Sequence, residues 1–345
     1  MESIIFSRNI AQDLNVFLKN QKFSKLGVIT DSNTVNACYP LISEALPEHE
    51  YFSFSAGEIH KNLETCSQIW QWLTDAGFDR KGLVINLGGG VTGDMGGFCA
   101  STYKRGLRFV NIPTSLLSQV DASVGGKLGI DFNGYKNHIG VFNEPEAVFI
   151  SDVFLQTLPL SELRSGYAEV IKHGLIRHEN YFESLKVQDW ENQDWKSIIE
   201  KSVSIKKEVV SKDPREDGLR KILNFGHTVG HAVESFYLDS EQHLLHGEAI
   251  AVGMVAEAFL SRKLLGLSSV DLQKITDFLL FVYGKVSIST EDMEYIVNKC
   301  FQDKKNEGEV INCSLLRRIG LCEYNIPVSS ENIIQSLNFY NSLRP

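Results

Sequence analysis

Lys81-Gly-Leu-Val-Ile-Asn-Leu87 runs directly into Gly88-Gly-Gly90-Val-Thr-Gly93-Asp94, a junction of apolar run and glycines. A short apolar run bounded by glycines is the pattern of a buried strand. The glycines that follow let backbone N–H groups approach a phosphate, and the start of the next helix adds a favourable field for negative charge. The spacing is not the Gly-x-Gly-x-x-Gly fingerprint with an acid about twenty residues on. Taken alone, the stretch is equally compatible with a tight turn.

Working outward, residues 24 to 31 (Ser-Lys-Leu-Gly-Val-Ile-Thr-Asp), Arg108-Phe-Val-Asn-Ile112 and Ala147-Val-Phe-Ile150 are further strand candidates, separated by helical or loop-like sequence. Strands alternating with helices predict an α/β, Rossmann-like domain with a largely parallel sheet and ligands at the carboxyl ends of its strands. After Leu155-Gln-Thr-Leu-Pro159 helical periodicity dominates, in Leu160 to Ile176, Trp195 to Val210, Ile222 to Tyr237, Gly247 to Leu264 and Val270 to Tyr283. The expected division is therefore residues 1–157, nucleotide-binding, and residues 158–345, mainly α-helical. Gly125-Gly126-Lys127 and Tyr135-Lys136-Asn137 add backbone freedom and cations to the first part, which suggests a nucleotide together with an anionic substrate.

The chain has 345 residues, 43% apolar and 22% charged, an ordinary globular composition. No apolar run is long enough for a bilayer span, and no secretory signal is evident at the N-terminus, so the cytoplasm is the expected compartment. The net charge of -9 argues against nucleic acid or an anionic membrane as partner. Six cysteines without a Cys-x-x-Cys pair read as free, mostly packing thiols.

The second part carries His227-Thr-Val-Gly-His231 and His246-Gly-Glu248. Three imidazoles so close, with a carboxylate from elsewhere, suffice for a catalytic metal site with an open coordination position. Residues four apart share a helix face, so spacing favours His227 with His231 on one ion. Position 228 is Thr, where helical metalloproteases carry their glutamate base, so peptide hydrolysis by that scheme is disfavoured. Histidines satisfied within a helical core are the alternative.

Gly88-Gly-Gly-Val-Thr-Gly-Asp94, Arg105-Gly106, Pro113-Thr-Ser-Leu-Leu117, Asp121-Ala-Ser-Val-Gly-Gly-Lys127, Lys136-Asn137, Glu169-Val-Ile-Lys172, Arg220-Lys-Ile-Leu-Asn-Phe-Gly-His227, His231, His246-Gly-Glu248 and Asp303-Lys-Lys305 together resemble the 3-dehydroquinate synthase family, in order, from about Gly57 to Gly320. The resemblance implies a Rossmann-like NAD domain, a helical domain and a zinc-bearing cleft between them, with cobalt or another divalent ion as alternative metals. It makes Glu169, His227 and His246 the metal ligands and turns His231 towards substrate. For NAD it points to Gly57, Glu58, Lys61, Gly89, Gly90, Val91, Thr92, Gly93, Asp94, Thr114, Ser115, Lys127, Lys136, Phe154, Leu155, Gln156 and Thr157, with Asp31 and Asn33 at the adenosine ribose. For substrate it points to Asp121, Lys127, Asn137, Lys172, Lys206, Arg220, Asn224, His231 and one of Lys304 or Lys305. Arg105 resembles the arginine that enters a partner subunit's site, which implies a homodimer.

The activity so implied converts 3-deoxy-D-arabino-heptulosonate 7-phosphate, a phosphorylated sugar acid, to 3-dehydroquinate and phosphate in the shikimate pathway, with NAD oxidising the substrate transiently. Ser115, Asp131 and Pro214 depart from the family's usual residues; Ser115 keeps a hydroxyl, and the other two touch only local geometry. Two rivals share the plan: other sugar phosphate cyclases, expected to lack part of the carboxylate-binding set, and a metal-dependent polyol dehydrogenase, expected to consume NAD stoichiometrically.

Overall fold

Leu83–Gly88 is buried along its whole length inside a six-stranded sheet. The computed structural model describes residues 3–133, 135–237, 243–302 and 310–344, and the chain divides into two units, Met1–Pro159 and Leu160–Pro345. The strands of the first unit are β1 (Ser3–Phe6), β2 (Leu26–Asp31), β3 (Glu50–Phe54), β4 (Leu83–Gly88), β5 (Arg108–Pro113), β6 (Lys127–Phe132), β7 (Tyr135–Phe142) and β8 (Ala147–Ile150). The large sheet has the order β1-β8-β5-β4-β2-β3 with every pair parallel, and β6 and β7 form a separate antiparallel hairpin.

Both faces of the parallel sheet are covered, which is why its inner strands read as unbroken apolar runs. Along β4 the side chains alternate: Leu83, Ile85 and Leu87 join one cluster with Leu14 and Leu18 of helix α1 (Ile10–Lys19). Val84 points the other way, into a cluster with Ile69 and Leu73 of α2 (Leu63–Asp75) and Phe98 of α3 (Gly90–Thr102). Helix α3 lies close on the sheet because glycines line the contact on both sides: a Cβ at Gly96 of α3 would sit 2.1 Å from Asn86 Oδ1, and one at Gly88 of β4 2.4 Å from Thr92 Oγ1. The α/β class expected from the strand–glycine junction is the one observed. The short β1, the edge strand β3 and the β6–β7 hairpin were not foreseen.

The second unit contains α4 (Leu160–Arg177), α5 (Trp195–Lys212), α6 (His227–Tyr237), α7 (His246–Leu265), α8 (Ser269–Tyr283), α9 (Thr290–Gln302) and α10 (Ser330–Ser342), with an antiparallel hairpin of β9 (Val310–Arg318) and β10 (Leu321–Ser329). One expectation is corrected: periodicity suggested a continuous helix from Ile222 to Tyr237. Instead Leu219–Asn224 is a short 3₁₀ turn, the chain reverses at Gly226 with φ +80°, and α6 begins at His227. The left-handed φ at Gly226, costly for any residue with a Cβ, is the physical reason for the break.

Helices α6 and α7 pack almost backbone to backbone. A Cβ at Gly253 would lie 1.9 Å from the Gly226 carbonyl oxygen and 2.6 Å from the Gly230 nitrogen. Gly247, at the start of α7, is equally tight against α4, where a Cβ would meet the Ser165 carbonyl oxygen at 2.1 Å. Gly253→Ala is therefore expected to cost about 1–3 kcal/mol through overpacking, read as a fall in Tm. Gly93→Ala, with no atom within 4 Å of the added Cβ, is expected to leave Tm unchanged or slightly higher; equal Tm for both variants would contradict this packing.

Candidate active site

Three helices of the second unit converge on one buried carboxylate. Glu169 of α4 is fully buried, and its Oε1 lies 3.3 Å from Nε2 of His227, the first residue of α6, and 3.3 Å from Nε2 of His246, the first residue of α7. Ligand-capable atoms of the three lie within 4.8 Å of one another. Lys172, one turn along α4 and also buried, pairs with Glu169.

The geometry follows from how the helix starts are held. Buried Glu257 of α7 accepts hydrogen bonds from the Gly226 N–H at 2.7 Å and the Val229 N–H at 3.1 Å, satisfying orphan donors of α6 on either side of His227. His227 Nδ1 lies 3.0 Å from the Phe225 carbonyl oxygen. At the start of α7, the Gly247 N–H donates to Ser165 Oγ at 3.0 Å, the Leu245 N–H donates to Glu248 Oε2 at 2.9 Å, and Arg164 pairs with Glu248.

Burial alone would raise the Glu169 carboxyl, but the Lys172 ammonium and the two imidazoles overcome it and hold the group well below the usual carboxylate range. Burial likewise pushes His246 down, and hydrogen bonds and charge from Glu169 and Glu234 outweigh it, raising the imidazole to about 9. The cluster thus recruits positive charge at His246. Two imidazole nitrogens and a carboxylate oxygen are also the donors that zinc and similar divalent ions accept, so the residues fit such an ion.

His231 is exposed, and its ring centroid lies 5.0 Å from that of His227 and 6.0 Å from that of His246. The expectation that His227 and His231 share an ion from one helix face is not met. Among the described residues, His231 groups with Glu234 and His246, and His227 groups with Glu169 and His246. Neighbouring rings, set at 81° to each other, face different carboxylates.

Cationic and amide groups sit nearby in sequence. Lys206 of α5 and Arg220 are buried. The Arg220 N–H donates to Asp213 Oδ2 at 2.9 Å and its Nη1 to the Pro214 carbonyl at 2.6 Å, a contact that any residue at 214 can supply. Asn224 Nδ2 donates to Glu216 Oε1 at 2.6 Å. Lys304 and Lys305 lie outside the described residues.

In the first unit, Gly89 is the residue before α3, and a Cβ at Gly93, inside the first turn of that helix, would meet nothing within 4 Å. Val91 is half-buried, and Thr92 is buried with Oγ1 donating to Asp31 Oδ2 at 3.2 Å. Asp31 Oδ1 accepts from the N–H groups of Asn33 and Thr34 at 2.9 Å each, closing the turn after β2. Buried Lys61 donates to Asp94 Oδ2 and Asn137 Oδ1, both at 2.6 Å, and the Asn137 N–H donates to Asp131 Oδ1 at 2.7 Å. Asp131 thus fixes the left-handed Asn137, φ +50°. Burial pulls the Lys61 ammonium down, but Asp94 outweighs it and leaves its pKa raised.

Gly57, φ +117°, precedes the short turn that begins at Glu58. Thr114 is buried, and Ser115 Oγ donates to Ser118 Oγ at 3.0 Å. Phe154, Leu155, Gln156 and Thr157 fall in the 3₁₀ turn Asp152–Thr157, and Asp121 lies in the turn Ser118–Ala122. Lys127, Lys136 and Arg105 are exposed. Arg105 and Lys104 adopt φ +68° and +47°, left-handed values that residues with a Cβ seldom take. All six cysteines are free and buried, and no helix among the described residues is long and apolar enough to cross a membrane.

Glu234 and Glu257 escaped the sequence reading. The available signal was a lone acid inside the apolar run Ala249 to Leu260, and an acid on the face of α6 that bears His227.

The chain has the fold of the sugar phosphate cyclases. A 2-deoxy-scyllo-inosose synthase complexed with carbaglucose-6-phosphate, NAD+ and Co2+ matches with a TM-score of 0.85 and 25% identity, covering 97% of this chain and 96% of the other. The 2-epi-5-epi-valiolone synthase of Streptomyces hygroscopicus, with NAD+ and Zn2+ bound, matches in fold with a TM-score of 0.85 and 23% identity, covering 99% and 96%. The models for 3-dehydroquinate synthase N-terminal and C-terminal regions match residues 51–165 and 166–306. A 3-dehydroquinate synthase of Parabacteroides distasonis is 40% identical over 344 residues, 98% of each chain. The chain belongs to the 3-dehydroquinate synthase family.

Ligation requires a neutral imidazole, whereas His246 holds its second proton up to about pH 9. Divalent-ion binding is therefore expected to release a proton at neutral pH, and apparent affinity to rise about tenfold per pH unit below that value. Chelator competition at several pH values reads this directly; a flat profile would contradict it.

Proposed function

We propose that this chain converts 3-deoxy-D-arabino-heptulosonate 7-phosphate to 3-dehydroquinate and inorganic phosphate, in the cytoplasm, using NAD and a divalent ion, zinc or cobalt. The observation that carries the reading is the convergence of Glu169, His227 and His246 on a chain of this family. When bound, the ion supplies Lewis acidity to a substrate hydroxyl and carbonyl, and NAD supplies a hydride acceptor that is restored before product leaves.

Glu169, His227 and His246 would hold the ion. In the second unit Lys172, Lys206 and Arg220 offer cations for carboxylate and phosphate, Arg220 with a planar fork and the lysines as point charges. Asn224, held by Glu216, offers an amide whose orientation is fixed. His231 is exposed beside the cluster, and its imidazole can both accept and donate a proton, which suits proton transfer.

In the first unit we assign Gly89 to Asp94 to the NAD pyrophosphate, since a helix start favours an anion. Lys61, Thr114, Ser115, Lys127, Lys136 and the Phe154 to Thr157 turn are assigned to the same cofactor, and Asp31 and Asn33 to its ribose. Asp121, Lys127 and Asn137 are assigned to substrate, along with one of Lys304 or Lys305.

The rival cyclases share the fold at 25% identity or less, whereas a curated 3-dehydroquinate synthase is 40% identical along nearly the whole chain. That difference favours the 3-dehydroquinate product. The decisive assay supplies the proposed substrate with NAD far below its concentration. Many turnovers are expected, with phosphate released in step with 3-dehydroquinate and no build-up of reduced cofactor. Reduced NAD accumulating mole for mole, without phosphate, would identify a dehydrogenase instead.

The same reading assigns Arg105 to a partner's site in a homodimer. Mixing Arg105→Ala with Lys172→Ala protein is expected to restore activity in mixed dimers, since each then retains one intact site. No recovery in verified mixed dimers would place Arg105 in its own chain's site.

A further inference from the structure

His246 stands between two carboxylates. Its Nε2 lies 3.3 Å from Glu169 Oε1, and its Nδ1 lies 3.5 Å from Glu234 Oε1. Glu234 is buried on α6, two helical turns beyond His227, so one helix carries both a proposed ligand and the carboxylate behind another. An imidazole that gives one ring nitrogen to an ion keeps a single N–H on the other. If Nε2 serves the ion with Glu169 and His227, Nδ1 carries that hydrogen, and Glu234 is the acceptor within reach. His227 is arranged alike, except that its Nδ1 faces the neutral Phe225 carbonyl at 3.0 Å.

We propose that Glu234 is a positioning residue for the metal centre: by accepting from His246 Nδ1 it fixes the ring and its tautomer and makes Nε2 the stronger donor of the two imidazoles. A carboxylate behind a ligating histidine raises its basicity as well as aiming it. The inference rests on the metal assignment above and goes one shell beyond it. His231, Glu234 and His246 also group closely enough to hold an ion of their own. That use would need both nitrogens of His246 to face cations, so the ring would have to lose its last proton. The chemistry of the ring therefore favours Glu234 as hydrogen-bond acceptor over Glu234 as ligand.

The test uses the full-length protein loaded with Co2+ or Zn2+. Glu234→Gln keeps shape and an acceptor but removes the charge; its metal affinity, by chelator competition, is expected to fall about tenfold, and that of Glu234→Ala by up to about a hundredfold. Glu234→Asp, which restores the charge, should recover part of the loss. The visible Co2+ spectrum of Glu234→Gln should shift while far-UV circular dichroism and a stoichiometry of one ion per chain stay unchanged. In a His246→Ala background, which reads the effect even if one single variant folds poorly, Glu234→Gln should cost nothing further. Unchanged affinity and spectrum in Glu234→Gln, an equal loss in the His246→Ala background, or a second ion lost with Glu234 would each overturn the proposal. A wild-type chain that binds no divalent ion would instead overturn the metal assignment beneath it.

Discussion

The close approach of α6 and α7 at Gly226, Gly230 and Gly253 is the constraint on which the second unit depends. No side chain fits where Gly253 passes the Gly226 carbonyl at a hypothetical Cβ distance of 1.9 Å. The two helices that begin with His227 and His246 are thereby held together, and the rings end with centroids 5.7 Å apart. Gly247 does the same between α7 and α4, which brings Glu169 to both rings. Glycine is used here for proximity, and only at Gly226 also for its left-handed φ.

Proximity alone would be unstable, because burying carboxylates in a helical core costs several kcal/mol unless each is matched. Buried Glu257 is met by two backbone N–H groups at the start of α6 and buried Glu169 by Lys172 and two imidazoles, while half-buried Glu248 is met by Arg164 and the Leu245 N–H. The work is divided: Glu257 and Glu248 hold the helix starts, while Glu169 and Glu234 set the charge around His246. In the first unit the logic is milder: glycines of α3 seat it on the sheet, and Lys61 ties Asp94 to Asn137.

Much of this was legible in the chain itself. The strands at 81–87, 108–112 and 147–150 were readable because parallel strands buried on both faces leave unbroken apolar runs. The edge strand β3 was not, since its half-exposed residues carry no such run, and β1 is only four residues long. The helix expected from Ile222 hid its break at Gly226, because apolar periodicity continues across a turn whose reversal rests on one dihedral angle. At the histidines, local spacing pointed to His227 with His231, a contact real as ring proximity but served by different carboxylates. Glu169 lies far away in sequence, and only its ordered resemblance to a known pattern brought it into view. Helical period puts Glu234 on the His227 face and Glu257 in an apolar run, but it does not show their contacts with His246 and with the start of α6, which are tertiary.

In the proposed site the glycine-packed helices present two imidazoles and one carboxylate to a single divalent ion, and X-ray absorption of the zinc-loaded protein reads that ligand set. The first shell is expected to contain two imidazole nitrogens and one carboxylate oxygen from the protein at roughly 2.0–2.2 Å, and His231→Ala should leave it unchanged. A shell with three imidazoles, reduced to two by His231→Ala, would make His231 a ligand and overturn the proposed set.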